Sequence, residues 1–381
     1  MQESAGAAAL VGVALPPGAG FVAVTEEIWE RGDAVLPLPP APSPAADALV
    51  ARMKPSLLVD GRGRRRLTDG RPVARGTAAV VATSGTTGDP KGVVLSHRAL
   101  EAAARATATR LGAGAGDRWL CCLPLHHVAG FQILVRSRIA GTAAVVHPVF
   151  DTGAVAAETD ATLVSLVPMM LRRLLTAGAD LGRWRAILVG GAAVPGDLIE
   201  GARAAGGRVV RTYGMTEMGG GIVYDGRPLD GVDVSIGGGG RIMLRGPMMM
   251  TEYRDDPKAT GRSLREGWFA TSDLGEVHDG ELTVLGRIDD VIVSGGEKVA
   301  PRAVEAVLAA HPLIEDVRVV GRDDPEWGQA VVALIVPSPH GVPRLEDVRA
   351  FVKERAPAHH APRAVVLVDR VPARERDLGA R

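Results

Sequence analysis

Lysine is scarce in this chain, and there is no excess of charge of either sign. Acidic and basic residues balance at 44 each in 381 residues, so no net field points to a nucleic acid or an anionic membrane as a partner. Arginine supplies nearly all of the positive charge. The choice of a catalytic lysine is therefore limited to Lys54, Lys91, Lys258, Lys298 and Lys353.

Cysteine and long apolar runs are also nearly absent. The two cysteines, Cys121 and Cys122, are adjacent, and such neighbours form neither an ordinary disulfide nor a metal-binding pair. We expect both to pack as small apolar residues in a buried strand, and their reduced state fits the cytosol. No apolar run reaches the ~18 residues of a membrane-spanning helix, and the N-terminus does not read as a secretory signal. These absences predict a cytoplasmic protein without a membrane span.

The first 75 residues are rich in Ala, Pro and Gly and show little periodicity. Residues 36–44 contain five prolines and are interpreted as a loop. Residues 62–66 form a short basic cluster. We interpret this cluster as a solvated loop, with contact to a phosphate-bearing ligand as the alternative.

From Thr77 onward, short apolar strands alternate with helices, which is typical of a mostly parallel sheet covered on both faces. After about Gly226, short strands separated by Gly and Asp indicate an antiparallel subdomain. The sequence thus predicts an α/β protein. Its large N-terminal domain, 1–287, holds mostly parallel sheets flanked by helices plus a β subdomain at about 227–287, and a small mobile α+β domain follows at 288–381.

The strongest functional signal is a turn rich in glycine and hydroxyl side chains, directly after a strand. Residues 83–92 read Thr-Ser-Gly-Thr-Thr-Gly-Asp-Pro-Lys-Gly. The glycines let the backbone turn tightly and offer N–H groups to phosphate oxygens, and Lys91 adds a positive charge. The spacing is not that of a Walker loop, which argues against ordinary P-loop ATPases and kinases. A flexible linker is the alternative interpretation.

Five further stretches follow in order, and with residues 83–92 they resemble the motifs of the adenylate-forming superfamily. This superfamily contains acyl-CoA synthetases, peptide-synthetase adenylation domains and luciferases. The resemblance runs from about residue 77 to 370. Its further stretches are Pro124 to Gly130, Gly190 to Pro195, Tyr213 to Glu217, Thr271 to Gly275, and Gly286 to Asp290 with the glycines Gly295 and Gly296.

The resemblance implies a role for single residues in binding ATP, Mg²⁺ and coenzyme A. Tyr213 offers an aromatic face to adenine, Glu217 is a hard oxygen donor suited to Mg²⁺, and Asp273 can accept hydrogen bonds from ribose hydroxyls. The implied catalytic residues are Thr86, Lys91, His127 and Glu217, with Glu217 as the metal ligand. The implied nucleotide- and coenzyme-binding residues are Thr83, Ser84, Gly85, Thr87, Gly88, Gly191, Ala192, Tyr213, Gly214, Thr216, Asp273, Arg287, Gly296 and Lys298.

The resemblance also implies a two-step reaction. The substrate carboxylate attacks the α-phosphate of ATP, pyrophosphate leaves, and a thiol then attacks the acyl-AMP. Positioning and charge neutralisation dominate such a transfer. The small domain is expected to rotate about Asp289 between the two steps, so that Gly296 and Lys298 line a channel for the thiol.

The compact large domain is similar to that of o-succinylbenzoate–CoA ligases of menaquinone biosynthesis. We therefore expect a small aryl carboxylic acid as substrate, with o-succinylbenzoate first. The candidate pocket residues are His127, Arg136, Met215, Gly219 and Gly220, of which Arg136 would bind a second, succinyl carboxylate. His127 as a packed residue and Arg136 as a solvated helix residue are the alternatives. The assembly is left open, and a homodimer is one alternative.

The tail departs from the pattern of the superfamily, which normally ends with a Gly-Lys pair after a proline. Here Gly379 is followed by Ala380, and no lysine occurs after Lys353. Three interpretations compete: an altered or truncated tail, substitution by Arg376 or Arg381, or loss of efficient adenylation. The alternatives to an o-succinylbenzoate–CoA ligase are thus another aryl-acid ligase serving CoA or a carrier protein, and an adenylation-impaired homologue that binds nucleotide or acyl-CoA.

Overall fold

Residues 6–83 and 90–371 are described by the structure, which is a computed structural model. The chain divides into two units. The first contains Met1–Val234 and Leu244–Phe269, and the second contains Ser235–Met243 and Ala270–Arg381. The predicted boundary at residue 287 falls inside the second unit and stays a prediction. Within the described ranges, no helix is both long enough and apolar enough to span a bilayer.

The N-terminal region contributes four strands to a seven-stranded sheet, although its sequence shows little periodicity. The elements of this region are β1 (Ala7–Ala8), β2 (Leu10–Val13), α1 (Ala19–Glu30), β3 (Ala34–Pro37), α2 (Pro44–Met53), β4 (Leu57–Asp60), β5 (Gly63–Arg66), β6 (Val73–Ala74), β7 (Thr77–Thr83) and β8 (Lys91–Ser96), with β18 (Glu252–Tyr253) joining from later in the chain. The strand order of the sheet is β18-β8-β7-β3-β2-β4-β5, and β2 pairs in parallel with both β3 and β4.

One loop prediction in this region is confirmed except at its ends, and the other was wrong. Residues 38–43 connect β3 to α2 as a loop, and α2 starts at Pro44, because proline is tolerated at a first helical position and Ser43 caps the helix by accepting from the Ala46 amide at 3.4 Å. Residues 63–66 form the exposed edge strand β5, which pairs antiparallel with β4. Charged side chains on an edge strand discourage pairing with other chains.

The middle of the chain forms the predicted, mostly parallel sheet. Its order is β10-β9-β11-β12-β13-β14-β15, and the first five strands are parallel. The elements are α3 (His97–Leu111), β9 (Trp119–Cys121), α4 (Val128–Ala140), β10 (Val145–Val146), α5 (Thr152–Ala157), β11 (Leu163–Leu166), α6 (Pro168–Thr176), β12 (Ala186–Val189), α7 (Gly196–Ala204), β13 (Val209–Met215), β14 (Gly220–Tyr224) and β15 (Arg227–Pro228).

Local signals for this region are confirmed. Ser96 caps α3 by accepting from the Ala99 amide at 3.1 Å, and Pro168 starts α6. Cys121 and Cys122 are both buried, as expected. One face of the sheet packs on a core around Trp184, which is fully buried with apolar residues of β11, β12, α6 and α7. Burying one large apolar side chain stabilises a fold by roughly 1.5–3 kcal/mol, so this core stabilises the sheet that carries the site loops.

An antiparallel β region follows, as predicted. Its strands are β16 (Asp233–Ile236), β17 (Arg241–Arg245), β19 (Leu264–Arg265), β20 (Trp268–His278) and β21 (Glu281–Arg287), with α8 (Pro257–Ser263) before β19. The sheet order is β16-β17-β20-β19, and β20 pairs antiparallel with β21 as well as β19.

The last region is a small α+β fold within the second unit. It contains β22 (Ile292–Ser294), β23 (Glu297–Val299), α9 (Pro301–Leu308), β24 (Ile314–Asp324), β25 (Gly328–Pro337), α10 (Leu345–Lys353) and β26 (Ala364–Leu367). Helices α9 and α10 bury Val304, Leu308, Val348 and Val352 against the sheet. The predicted tail residues, among them Gly379, Ala380, Arg376 and Arg381, lie outside the described residues.

Candidate active site

The stem of the phosphate-loop candidate is a β-hairpin. Thr83 at the end of β7 lies opposite Lys91 at the start of β8, and the Thr83 hydroxyl donates to the Lys91 carbonyl oxygen at 3.5 Å. The hairpin therefore brings the two ends of the motif together. Five candidate residues between them lie outside the described residues: Ser84, Gly85, Thr86, Thr87 and Gly88.

Three other motifs follow parallel strands at the same edge of one sheet. Residues 126–127 follow β9, residues 190–192 follow β12, and residues 216–217 follow β13. Ligands of open α/β sheets bind outside the carboxyl ends of the strands. The topology thus gathers His127, Gly191 and Glu217 at the edge where a ligand is expected.

The carboxylate of Glu217 is held by a tyrosine that the sequence analysis missed. The Tyr253 hydroxyl donates to Glu217 Oε1 at 2.7 Å, and Lys91 Nζ stands 5.1 Å from the centre of the Tyr253 ring. Burial, reinforced by the Glu217 carboxylate, raises the pKa of Tyr253, so the phenol keeps its proton at neutral pH. Lys91 and Glu217, which the sequence predicts from separate motifs, therefore both contact Tyr253.

The backbone around Glu217 is fixed as well. Residues Thr216–Met218 form a short 3-10 helix that ends at Gly219, whose φ of 66° lies in the left-handed region that favours glycine. The Met250 amide donates to the Glu217 carbonyl oxygen at 2.8 Å. Glu217, the candidate metal ligand, thus lies on a turn whose backbone is fixed by the conformation of Gly219 and by the hydrogen bond from Met250.

The adenine-side candidates lie on β13 and beyond the end of β12. Tyr213 pairs with Val223, and Met215 pairs with Gly220 across the antiparallel partner β14. At Gly214 a Cβ atom would stand 1.9 Å from the Gly220 carbonyl oxygen, so no side chain fits at this position. Gly191 has a φ of 80°, and Ala192 is exposed beside it. The roles of Gly191, Ala192, Tyr213 and Gly214 in binding adenine stay predictions.

Gln132 of α4 is a second residue that the sequence analysis missed. Its side-chain amide is 1% exposed and donates to the carbonyl oxygens of Gly219 at 3.0 Å and Leu100 at 3.2 Å. Its Cγ lies 3.7 Å from the place where a Cβ of Gly220 would stand, and its Oε1 has no hydrogen-bond partner among residues 6–83 and 90–371. The pocket candidates Gly219 and Gly220 therefore contact α4 through Gln132.

Arg136, one turn further along α4, is buried and not solvated. It is 8% exposed, its guanidinium stacks 4.9 Å from the Trp119 ring, and its Nη2 lies 3.5 Å from the Tyr224 hydroxyl. Within the part of the chain that the structure describes, its Nε has no hydrogen-bond partner. With Trp119 and Thr107, it lines a cavity of about 230 Å³. The solvated alternative for Arg136 is therefore wrong.

His126 and His127 form a pair just before α4. Their ring centres are 4.4 Å apart, and burial together with the neighbouring ring lowers the pKa of His126 to about 4. His127 is exposed as a whole residue, but its ring lies against His126 and burial lowers its pKa, so the packed alternative and the role in the pocket both stay predictions. At Gly130, a Cβ would stand 2.4 Å from the Pro124 carbonyl oxygen, so glycine lets the His126–His127 turn close onto the helix.

In the second unit, the ribose candidates Asp273 and Arg287 lie side by side. They face each other across β20 and β21, with Arg287 Nη1 3.5 Å from Asp273 Oδ1. Nη2 of Arg287 lies 3.4 Å from Asp289, the predicted hinge residue. The structure thus brings two of the predicted nucleotide ligands together within this unit.

The coenzyme-side candidates lie on the β22–β23 hairpin of the same unit. Gly295 and Gly296 form its two-residue turn, with φ values of 61° and 84°, and Lys298 follows on β23. Such turns require positive φ at both positions, which favours glycine. The Trp327 ring packs on this turn and would stand 2.6 Å from a Cβ at Gly295. The coenzyme role of Gly296 and Lys298 stays a prediction.

Comparison with known proteins supports the same family. Residues 38–254 match the family described as AMP-binding enzyme, and residues 303–376 match its C-terminal domain. A probable 2-succinylbenzoate–CoA ligase of Mycobacterium tuberculosis is 43% identical over 312 residues, which cover 78% of this chain and 81% of that protein.

Two solved structures of the o-succinylbenzoate CoA synthetase of Bacillus subtilis are also similar. The complex with the acyl-adenylate intermediate has a TM-score of 0.81 and 28% identity, covering 96% of this chain and 85% of that one. The complex with ATP and a magnesium ion has a TM-score of 0.80 and 29% identity, covering 96% and 86%. The motifs, the fold and these comparisons lead to one conclusion: the chain belongs to the AMP-binding enzyme family.

Proposed function

We propose that this chain is an ATP-dependent acid–CoA ligase that converts o-succinylbenzoate into its acyl-AMP and then into its CoA thioester. The observation that carries the proposal is the contact of Glu217 and Lys91 with one buried tyrosine, at the base of the phosphate-loop hairpin. A carboxylate for a metal ion and an ammonium for a polyphosphate are what adenylation needs at one place. The similarity to 2-succinylbenzoate–CoA ligases supports the choice of acid.

Glu217 has the chemistry of a Mg²⁺ ligand. Its Oε1 accepts from Tyr253, and its Oε2 forms no hydrogen bond or ion pair with residues 6–83 and 90–371. Mg²⁺ usually keeps several waters and binds one or two protein carboxylates beside substrate phosphates, so a single open carboxylate oxygen fits it. When bound, the ion would neutralise charge on the phosphates of ATP.

The residues of this chain contribute positioning and charge to the first step. We propose that Lys91 places its ammonium against the phosphates, and that Tyr213 stacks on adenine. The acid carboxylate then attacks the α-phosphorus, and pyrophosphate leaves with the bonding electrons of the cleaved P–O bond. For the second step, Gly296 and Lys298 are proposed to lie beside the thiol, after rotation about Asp289 of a small domain proposed at 288–381.

Arg136 is proposed to bind the second carboxylate of a dicarboxylic acid. A buried guanidinium is costly without an anion, and the described residues offer Arg136 no carboxylate within ion-pair distance. Arg136 follows His127 by nine residues, or about 13 Å along the helix axis, and helix side chains tilt back toward the N-terminus. The cavity lined by Arg136 includes none of His127, Met215, Gly219 and Gly220, so the proposal requires the guanidinium to reach back along α4 toward an acid held by those residues.

The tail and the assembly are part of the proposal. The departure from the Gly-Lys pattern at Gly379 and Ala380 is the basis on which we propose slow adenylation, and an adenylation-impaired binding protein is the second candidate function. We further propose that the enzyme acts in the cytoplasm, where both buried cysteines stay reduced. A homodimer stays one alternative for the assembly.

The test is a mass-spectrometric product screen. The purified chain is incubated with ATP, Mg²⁺ and CoA, and with o-succinylbenzoate, benzoate or another aryl acid. We expect AMP, pyrophosphate and the CoA thioester of o-succinylbenzoate, and the acyl-AMP when CoA is omitted. Calorimetric binding of ATP without turnover of any acid would contradict the ligase and favour the binding protein.

A further inference from the structure

Tyr253 lies on a backbone segment that is held by several hydrogen bonds to other parts of the first unit. The Tyr253 amide donates to the Thr260 hydroxyl at 2.9 Å, and the strand pairs with β8 through Val93. The next residue, Arg254, is 5% exposed and donates to carbonyl oxygens of α2 and of the chain before β6. The phenol oxygen therefore occupies a fixed place relative to β8 and Lys91.

The Tyr253 hydroxyl limits how Glu217 can be arranged. Glutamate has three side-chain torsions, and a free carboxylate would exchange among rotamers. The 2.7 Å hydrogen bond to Oε1 selects the rotamers that keep Oε1 at the phenol. An O–H donor facing an ionised oxygen gives a strong, charge-assisted bond. Because the contact uses one oxygen only, the other stays available to a cation.

We propose that Tyr253 is a positioning residue for Glu217, and that its hydroxyl sets the affinity of the site for the nucleotide-bound divalent metal. The inference rests on the proposed function, because it takes Glu217 as the metal ligand. Lys91 Nζ lies over the same ring, so Tyr253 also holds the Lys91 ammonium, which is proposed to bind the polyphosphate, in a fixed position relative to the Glu217 carboxylate. Groups that orient metal ligands typically contribute 10–100-fold in metal affinity.

The experiment measures metal binding directly. Mn²⁺ is titrated into the full chain saturated with α,β-methylene ATP, and the ternary complex is followed by water proton relaxation. Tyr253→Phe keeps the ring under Lys91 and removes only the hydroxyl. Tyr224→Phe is the matched control, since Tyr224 is also buried and its hydroxyl pairs with Thr107 at 3.0 Å. Thermal melting of each variant checks the fold.

We expect Tyr253→Phe to weaken Mn²⁺ binding by about tenfold or more and Tyr224→Phe to leave it unchanged. Glu217→Gln should weaken binding at least as much. The double variant should be no weaker than Glu217→Gln alone, because Tyr253 acts through Glu217.

Two results separate the inference from the function beneath it. If Glu217→Gln weakens binding and Tyr253→Phe does not, the positioning role is overturned while Glu217 remains a metal ligand. If Glu217→Gln leaves the Mn²⁺ affinity unchanged, the metal assignment of the proposed function fails, and the role of Tyr253 fails with it. Additive losses in the double variant would also contradict action through Glu217.

Discussion

Arg254 Nε lies 2.8 Å from the carbonyl oxygen of Met53, a residue 201 positions earlier in the chain. The same guanidinium donates to the carbonyl oxygens of Arg71 and Pro72. A single buried side chain thus ties the end of α2 and the chain before β6 to the strand that carries Tyr253. Because a guanidinium has five N–H donors in a fixed fork, lysine could not make the same set of contacts.

Removing this guanidinium should destabilise the first unit. Arg254→Met leaves several buried carbonyl oxygens without donors, each at a cost of about 1–3 kcal/mol. We expect the melting temperature to fall by about 5–10 °C in differential scanning calorimetry. Arg71→Met is the control, since Arg71 is exposed and its ion pair with Asp255 spans 3.4 Å. Exposed pairs contribute about 0–1 kcal/mol, so an equal shift in both variants would contradict the anchoring role.

Replacing Arg136 should change the preference among acids. Arg136→Ala should raise KM for o-succinylbenzoate by about 10–100-fold and KM for benzoate much less, because only the diacid has a second carboxylate to lose a charge-assisted bond. Steady-state kinetics of CoA-thioester formation measures both. Arg138→Ala is the matched control, because Arg138 lies on the same helix but is exposed and stacks on Trp29. Equal changes for the two acids would remove Arg136 from the pocket.

His126 should make stability depend on pH. Its pKa is about 4 in the folded chain and about 6.5 in the unfolded chain, so the unfolded state binds more protons between these values. The contribution to the free energy of unfolding is therefore fully present above pH 6.5 and is lost as the pH falls toward 4. Melting temperatures at pH 7 and pH 5 should differ less in His126→Asn than in the wild type. An unchanged difference would show that His126 does not carry the effect.

Restoring the Gly-Lys pair should accelerate adenylation alone. In Ala380→Lys, a lysine follows Gly379, as in the superfamily pattern. We expect ATP–pyrophosphate exchange to rise by about 10²–10³-fold, the usual effect of one preorganised charge contact, and thiolation of preformed acyl-AMP to stay constant. Exchange that is already as fast in the wild type as in the variant would rule out a defect in the tail.

The fold was predictable where the hydrophobic pattern is strongly periodic. The apolar runs 163–167 and 186–189 predict strands from their own residues alone. Ser96 and Pro168 likewise predict the starts of the helices that follow them. The N-terminal sheet was missed because its strands are four residues long and lie among prolines that read as loop signals. Proline is compatible with the end of β3 and with the first turn of α2. The high proline content therefore did not rule out a strand or a helix in this region.

The sequence predicted which chemical groups form the candidate site, but it did not predict the residues that hold those groups in place. Glycine, hydroxyl and charged residues at motif spacing marked Lys91 and Glu217, because their chemistry is local. Tyr253, Gln132 and Arg254 act through partners 36, 87 and 201 residues away. No local period encodes such contacts. They arise only when β18 pairs with β8 and α4 packs against the Gly219 turn.

The most direct test of the account is a single-turnover measurement of acyl-AMP formation. Enzyme in excess over ATP is mixed with Mg²⁺ and o-succinylbenzoate without CoA, quenched, and examined by mass spectrometry. We expect acid-dependent o-succinylbenzoyl-AMP to form slowly in the wild type and at least about 10²-fold more slowly in Glu217→Gln and in Lys91→Ala. Absence of the acyl-AMP in the wild type, or equal rates in all three proteins, would contradict this expectation.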